Sequence, residues 1–264
     1  MTSWMVAPLA CAAMLAGAFL AMVVARRSPA DYLSDDTRYT LKLTVGLTAA
    51  MTSLILGLMT TSMRYTYSAA GQDVQEYAVT LLTADMELRQ LGPQACPARH
   101  ALATYARLVL DETWGGSPGG IESAPTPTRF EAASARQLLR LEEMVRALSP
   151  ASDDQKLARA DAARSLKALL THRWKLSSDA DSRIPTLFVL VVMGWLTLIF
   201  AGFGWFAPRN PPALVALSLS SLAIAAALFL VVEMGEPFAG PMRIAPAPIL
   251  DTLDAMASHP CGAA

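Results

Sequence analysis

Charge is missing from four long stretches of this chain. Residues 4–25, 43–63, 184–207 and 212–232 contain no Asp, Glu, Lys or Arg, in a sequence of 264 residues that is 53% hydrophobic and 16% charged. A helix needs about 20 mainly apolar residues to cross a hydrocarbon layer of about 30 Å, and in lipid the backbone is satisfied only within a helix or a closed barrel. All four stretches are long enough to span. Net charge is missing too: the formal value is -1, and Arg64 to Arg183 holds 15 basic and 15 acidic residues. Without a basic field, nucleic-acid binding is disfavoured. No Lys or Arg precedes Trp4, so the basic n-region of a signal peptide is lacking and the first run reads as a retained span.

Cysteine is scarce. Cys11 lies in the first span, Cys96 precedes a proline in the middle region and Cys261 is near the carboxyl end. Three thiols so far apart exclude a disulfide framework; a Cys96–Cys261 bridge is open if both face an oxidising space, but free thiols are the expectation. Catalytic signatures are absent as well: there is no GxxxxGK[ST], GxSxG, HExxH or CxxC, and no ionisable residue inside the four runs. A bilayer enzyme ordinarily needs one. Cys96 with His100 is half of a zinc site at best and would need His172 or His259 to converge on it. No enzyme activity, cofactor or metal is therefore expected.

What is present is helical. Ser34-Asp35-Asp36 resembles a helix start, and the second span carries Thr44, Thr48 and Thr52 at i, i+4 spacing beside a small-residue stripe of Gly46, Ala50, Ser53 and Gly57. Such faces suit close helix packing, with the threonines bonded to their own backbone, or a wet pathway. From Tyr65 onward no alternating strand pattern occurs. Val74, Tyr77, Leu81, Met86, Leu88 and Leu91 approximate one apolar face until Gly92-Pro93; a second helix from Pro97 carries Leu102, Tyr105, Val109 and Leu110 toward Trp114. Residues 115–127, GGSPGGIESAPTP, read as a mobile loop. Thr128 with Glu131 fits a capping box ahead of Leu138, Leu141, Met144, Val145 and Leu148. Ser152 with Gln155 fits another, ahead of Leu157, Ala160, Ala163, Leu166, Leu169, Leu170 and Trp174, and this helix can run on into the third span. Pro208-Arg209-Asn210-Pro211 closes a tight hairpin between spans three and four. A turn-rich stretch and an amphipathic run from Ile249 to Met256 follow.

The expected fold is all-α: an integral membrane four-helix bundle with an inserted soluble helical domain between spans two and three. The parts are spans one and two at 1–63, the helical bundle at 64–183, the hairpin of spans three and four at 184–232, and an extramembrane tail at 233–264. Four spans put the middle region and the tail on one side. Arg26, Arg27, Arg38, Lys42 and Arg209 mark one face and Arg64, Arg173, Lys175, Arg183 and Arg243 the other, a draw that the first helix tilts toward an external middle domain. For Arg89 and Arg99, which flank the Gly92-Pro93 corner, exposure or pairing with Asp85 and Glu87 is the default. For Trp114 and Trp174 it is core anchoring.

The segment Leu81-Leu82-Thr83-Ala84-Asp85-Met86-Glu87-Leu88-Arg89-Gln90-Leu91-Gly92-Pro93-Gln94-Ala95, with Arg99, Trp114 and the turn Glu236-Pro237-Phe238-Ala239-Gly240, resembles the bacterial membrane family described as bestrophin-like. The resemblance covers nearly the whole chain. Through the more distant bestrophins, which are pentameric ion channels with cytosolic helical domains, it implies a homo-oligomer in the bacterial inner membrane that passes small ions. It further implies a pore lined by the second span, with Leu54 and Leu58 as an apolar constriction and Thr44, Thr48 and Thr52 as wet or packing positions. Animal bestrophins follow the turn with a run of carboxylates that clasps calcium; here Pro241-Met242-Arg243-Ile244 follows, so calcium gating is not implied. The alternative is a non-conducting membrane-anchored sensor or partner-binding module in which the helical insert works and the spans only hold it.

Overall fold

A computed structural model describes residues 3–27, 35–115, 127–181, 184–208 and 210–261. Eight α-helices and no strand occur among them: α1 Ser3–Arg27, α2 Asp35–Gln90, α3 Cys96–Trp114, α4 Pro127–Ala147, α5 Asp153–Asp181, α6 Thr186–Phe206, α7 Pro211–Glu233 and α8 Ala247–Ala257. The protein is all-α and integral to the membrane: α1, the first part of α2, α6 and α7 are each long and apolar enough to cross a bilayer. The interior of the expected 115–127 loop and the Thr128–Glu131 cap lie outside the described residues and side chains.

The chain forms two compact units, residues 1–67 with 182–236, and residues 68–181 with 237–264. In unit 1, α1 packs on α6 and α7 through Val6, Ala10, Met14 and Ala18 against Val192, Leu196, Phe200, Ala225 and Leu228. Small residues set the approach of α1 to α6. A Cβ on Gly17 would lie 2.9 Å from Thr197 Cγ2, and one on Gly204 would collide with the Ala18 backbone. Without a hydrophobic drive inside lipid, such close backbone packing is what holds spans together. Cys11 Sγ lies 3.3 Å from Ser221 Oγ across α1 and α7, and Asn210 caps α7 by accepting from the Ala213 amide at 3.2 Å.

In unit 2 the second part of α2 packs with α3, α4, α5 and α8 around Val74, Tyr77, Leu81, Leu88, Leu102, Tyr105, Leu141, Leu166 and Leu169. The expected faces of α3 and α4 are borne out. Met86 is the exception on α2 and is exposed. On α5 the buried face is Ala158, Ala162, Leu166, Leu169 and Leu176, while Leu157, Leu170 and Trp174 point outward: alanines at i, i+4 let the helix sit close, a register that larger side chains obscured. The Ser152–Gln155 cap forms, with the Gln155 amide donating to Ser152 Oγ at 3.2 Å, but Gln155 Oε1 accepts from Ala151 N–H rather than from Ser152.

Helix continuity differs between the second span and the third. The second span and the Val74–Leu91 segment are one uninterrupted helix of 56 residues, because no proline breaks it before Gly92, whose φ of 76° is a left-handed geometry natural only to glycine. The expected run of α5 into the third span does not occur. α5 ends at Asp181, and Pro185 is extended at φ -55°, ψ 125° before α6.

Candidate functional site

The span part of α2 differs from its neighbours in how little of it is covered. Of its most apolar window 11% is buried, against 39% for α6 and 28% for α1. Leu43, Leu47, Met51, Leu54 and Leu58 are all exposed. A Cβ on Gly46 or Gly57 would meet nothing within 4 Å. α2 is held to the rest of unit 1 by few contacts: Val45 packs on Gly202, leaving no room there for a Cβ, Lys42 Nζ stands 5.7 Å from the Phe206 ring centroid, and Met59 and Thr52 are buried. Beside these contacts lies a groove of about 490 Å³ lined by Gly17, Leu41, Val45, Thr197 and Trp205 among others.

The five span-two residues singled out in the sequence divide between two sides. Thr44 is exposed, Thr48 half-buried and Thr52 buried; Leu54 and Leu58 face outward. Each threonine hydroxyl donates to the carbonyl four residues back, Thr44 to Thr40 at 2.9 Å, Thr48 to Thr44 at 2.9 Å and Thr52 to Thr48 at 2.8 Å. Such bonds leave the hydroxyl's lone pairs, not its proton, for other partners.

In unit 2 the corner after α2 is built around Asp85, which is fully buried. Arg99 grips it with two bonds, Nε to Oδ1 at 2.7 Å and Nη2 to Oδ2 at 3.2 Å, and Arg89 Nε lies 3.4 Å away. Planar two-bond recognition is what a guanidinium does best. Arg99 also donates to the His259 carbonyl at 3.0 Å, so one side chain ties α2, α3 and the tail together. The turn Glu236-Pro237-Phe238-Ala239-Gly240 is shaped by Gly240 at φ 73° and by the Ile244 amide donating to the Pro237 carbonyl at 2.8 Å. Trp114 anchors that stretch: its Nε1 donates to the Ile244 carbonyl at 2.7 Å and its ring meets Phe238 edge-on at 5.4 Å. Core anchoring therefore holds for Trp114 and fails for Trp174, which is 60% exposed.

Three polar features were not legible as sites. Tyr77 and Tyr105 are wholly buried beside each other, and neither hydroxyl has a hydrogen-bond partner of regular geometry. Burial pushes both phenols up, Tyr105 to about 12. Next to them Arg173 Nη2 bonds Glu112 Oε2 at 2.8 Å, and burial still raises the Glu112 carboxyl against the pull of that guanidinium. The second feature is Glu233. It closes α7, is 1% exposed, and both carboxylate oxygens lack a partner. The third is Asp73, Glu76 and His172, whose ligand atoms lie within 4.8 Å of one another. Lys175 Nζ already pairs with both carboxylates, 3.0 Å from Asp73 and 3.5 Å from Glu76, with its ammonium stabilised by the Asp73 bond.

The Cys96–His100 half-site is overturned. Cys96 is bonded to Cys261, with their Cα atoms 5.7 Å apart. The free-thiol expectation for this pair fails with it: the corner at Gly92–Ala95 and the tail after α8 bring together two residues 165 positions apart.

These features define a class, a multi-span helical membrane protein with a helical extramembrane unit. The chain matches the Bestrophin-like domain over residues 12–249 and belongs to that family. No curated protein matches it at a meaningful level. Among solved structures it is similar to crystal structures of a bacterial bestrophin homologue from Klebsiella pneumoniae. One single-residue variant aligns with TM-score 0.67 and 12% identity over 96% of this chain and 99% of that one, and another with TM-score 0.65 and 13% identity over 95% and 97%. At such identities the likeness is one of fold.

Proposed function

We infer that this protein is a bestrophin-type channel of the bacterial inner membrane: several copies assemble, and the outward face of α2 lines a path for small ions. The observation that carries this reading is the bareness of α2. A span with 11% of its apolar window covered inside its own chain has to be covered by lipid or by other copies. Its Gly46 and Gly57, open to any neighbour, suit close approach by a second helix. Among the described residues one chain encloses no lumen, since α1, α6 and α7 pack on one another. Leu54 and Leu58, uncharged and outward, would then form an apolar constriction that passes ions only when wetted, while Thr52 packs inside the subunit. Family membership and the fold likeness support this reading.

The test is ion flux from sealed liposomes holding the purified chain. Wild-type protein should release a trapped ion, and Leu58→Asp, by wetting the constriction, should raise the rate or change its ion preference. Liposomes that stay tight to every small ion overturn the channel reading. The anchor reading retains one supporting observation, the self-contained core of unit 2. It predicts that binding of a protein partner survives when conduction is absent.

A further inference from the structure

Of three cysteines only Cys96 and Cys261 lie outside the apolar runs, and those two meet. Cys96 opens α3, Cys261 follows α8, their Cα atoms are 5.7 Å apart and their sulfurs are joined. Cystines hold Cα atoms about 4.4–6.8 Å apart. Both residues are half-buried. Their surroundings favour a covalent pair over a metal site. His259 directs Nδ1 to Ser258 Oγ at 2.9 Å, and the one grouping of possible metal ligands among the described residues involves neither cysteine. Arg99, already fixed on Asp85, places Nη1 3.5 Å from Cys261 Sγ and donates from Nη2 to the His259 carbonyl. A side chain locked in the core of unit 2 thus holds the tail beside Cys96.

We propose that the helical unit and the tail face the oxidising, extracytoplasmic side of the membrane, where the Cys96–Cys261 cystine latches the tail to the start of α3. Cytosolic thiols are kept reduced, and lasting structural disulfides belong to oxidising compartments. Formation is balanced by thiol–disulfide exchange with a dithiol oxidant of that compartment. One thiolate attacks the oxidant's disulfide, the second displaces it, and the two electrons and two protons leave with the oxidant as its dithiol. The connections at 28–34 and 208–210 then lie in the cytosol with Arg26, Arg27, Arg38, Lys42 and Arg209. The positive-inside count is even for this chain, and only the first helix, with Arg26 and Arg27 at its end, tilts it the same way. This arrangement reverses the cytosolic placement that analogy with bestrophins implies, and it holds whether or not the protein conducts.

The test uses the full chain carrying Cys11→Ser in a bacterial host. Thiols are blocked with an alkylating reagent before lysis, and peptides are compared with and without reductant. The expected result is a Cys96–Cys261 linked peptide pair with both cysteines unmodified until reduced. In a host lacking its dithiol oxidant the alkylated fraction should rise several-fold. A protease site placed within residues 116–126 should be cut in intact spheroplasts. Alkylation of both thiols without reductant in oxidase-competent cells overturns the proposal, as does a loop protected in spheroplasts and cut only in inverted vesicles.

Discussion

Unit 1 and unit 2 use the same element, the α-helix, with opposite surfaces. In unit 1 many large apolar side chains point outward, Leu43, Leu47, Leu54 and Leu58 of α2 and Leu187 and Leu198 of α6 among them, and glycines set the close contact of α1 with α6. In unit 2 leucines, tyrosines and alanines point inward, and a salt bridge at Asp85 is buried with them. The contrast is one of solvent. Lipid gives no reward for burying a leucine, so packing falls to small residues, whereas water rewards it at about 25 cal/mol per Å².

The comparison breaks most visibly at Asp85. Arg99→Ala leaves a fully buried carboxylate with only Arg89 near it, and removing one partner of a buried pair costs about 3–5 kcal/mol. Thermal unfolding of the detergent-purified protein should show a lowered transition for unit 2, and a variant as stable as wild type would remove the clasp's structural role. Next comes a matched pair of truncations. Leu141→Ala in the core of unit 2 should cost about 2–5 kcal/mol, while Leu54→Ala on the bare face of α2 should stay within about 0.5 kcal/mol. Equal costs would mean that the two units are not built for different solvents. Trp114→Phe keeps the ring against Phe238 but loses the bond to the Ile244 carbonyl, an effect of about 1 kcal/mol, read by proteolysis of the tail.

The smallest effect concerns pH. Burial raises the Glu87 carboxyl above its ordinary value, partly offset by a bond from Ser165, so the folded state holds that proton more tightly than the unfolded chain. Its contribution favours folding at low pH and is lost as pH rises from the ordinary carboxylate value through the raised one. Glu87→Gln should flatten the stability curve of unit 2 across that window, and an unchanged slope would contradict the sign.

The spans were legible because about twenty uncharged residues in a row have few other meanings. The faces of α3 and α4 were legible because Leu102, Tyr105, Val109, Leu138, Leu141 and Val145 recur at helical period. The continuity of α2 was not, since Arg64 and the polar residues after it mark the end of an apolar run but do not break a helix; only a proline or a left-handed glycine does. The α5 register was hidden by Leu157 and Trp174, larger but outward. Of the functional features, the Arg99–Asp85 pair was among the defaults weighed for that corner. The cystine and the buried Glu233 depend on distant segments meeting, which one-dimensional spacing does not encode.

The central claim is that the bare face of α2 is where copies of this chain meet around an ion path. Disulfide trapping in native membranes tests it most directly, using the one unpaired cysteine placed by Leu54→Cys in the Cys11→Ser chain, whose Cys96 and Cys261 are joined to each other. The account predicts a covalently linked dimer upon mild oxidation, absent from a parallel cysteine on the outward side of α7 at Leu222. Monomer alone, at every oxidant concentration and with the cysteine shown to be reactive, would contradict it.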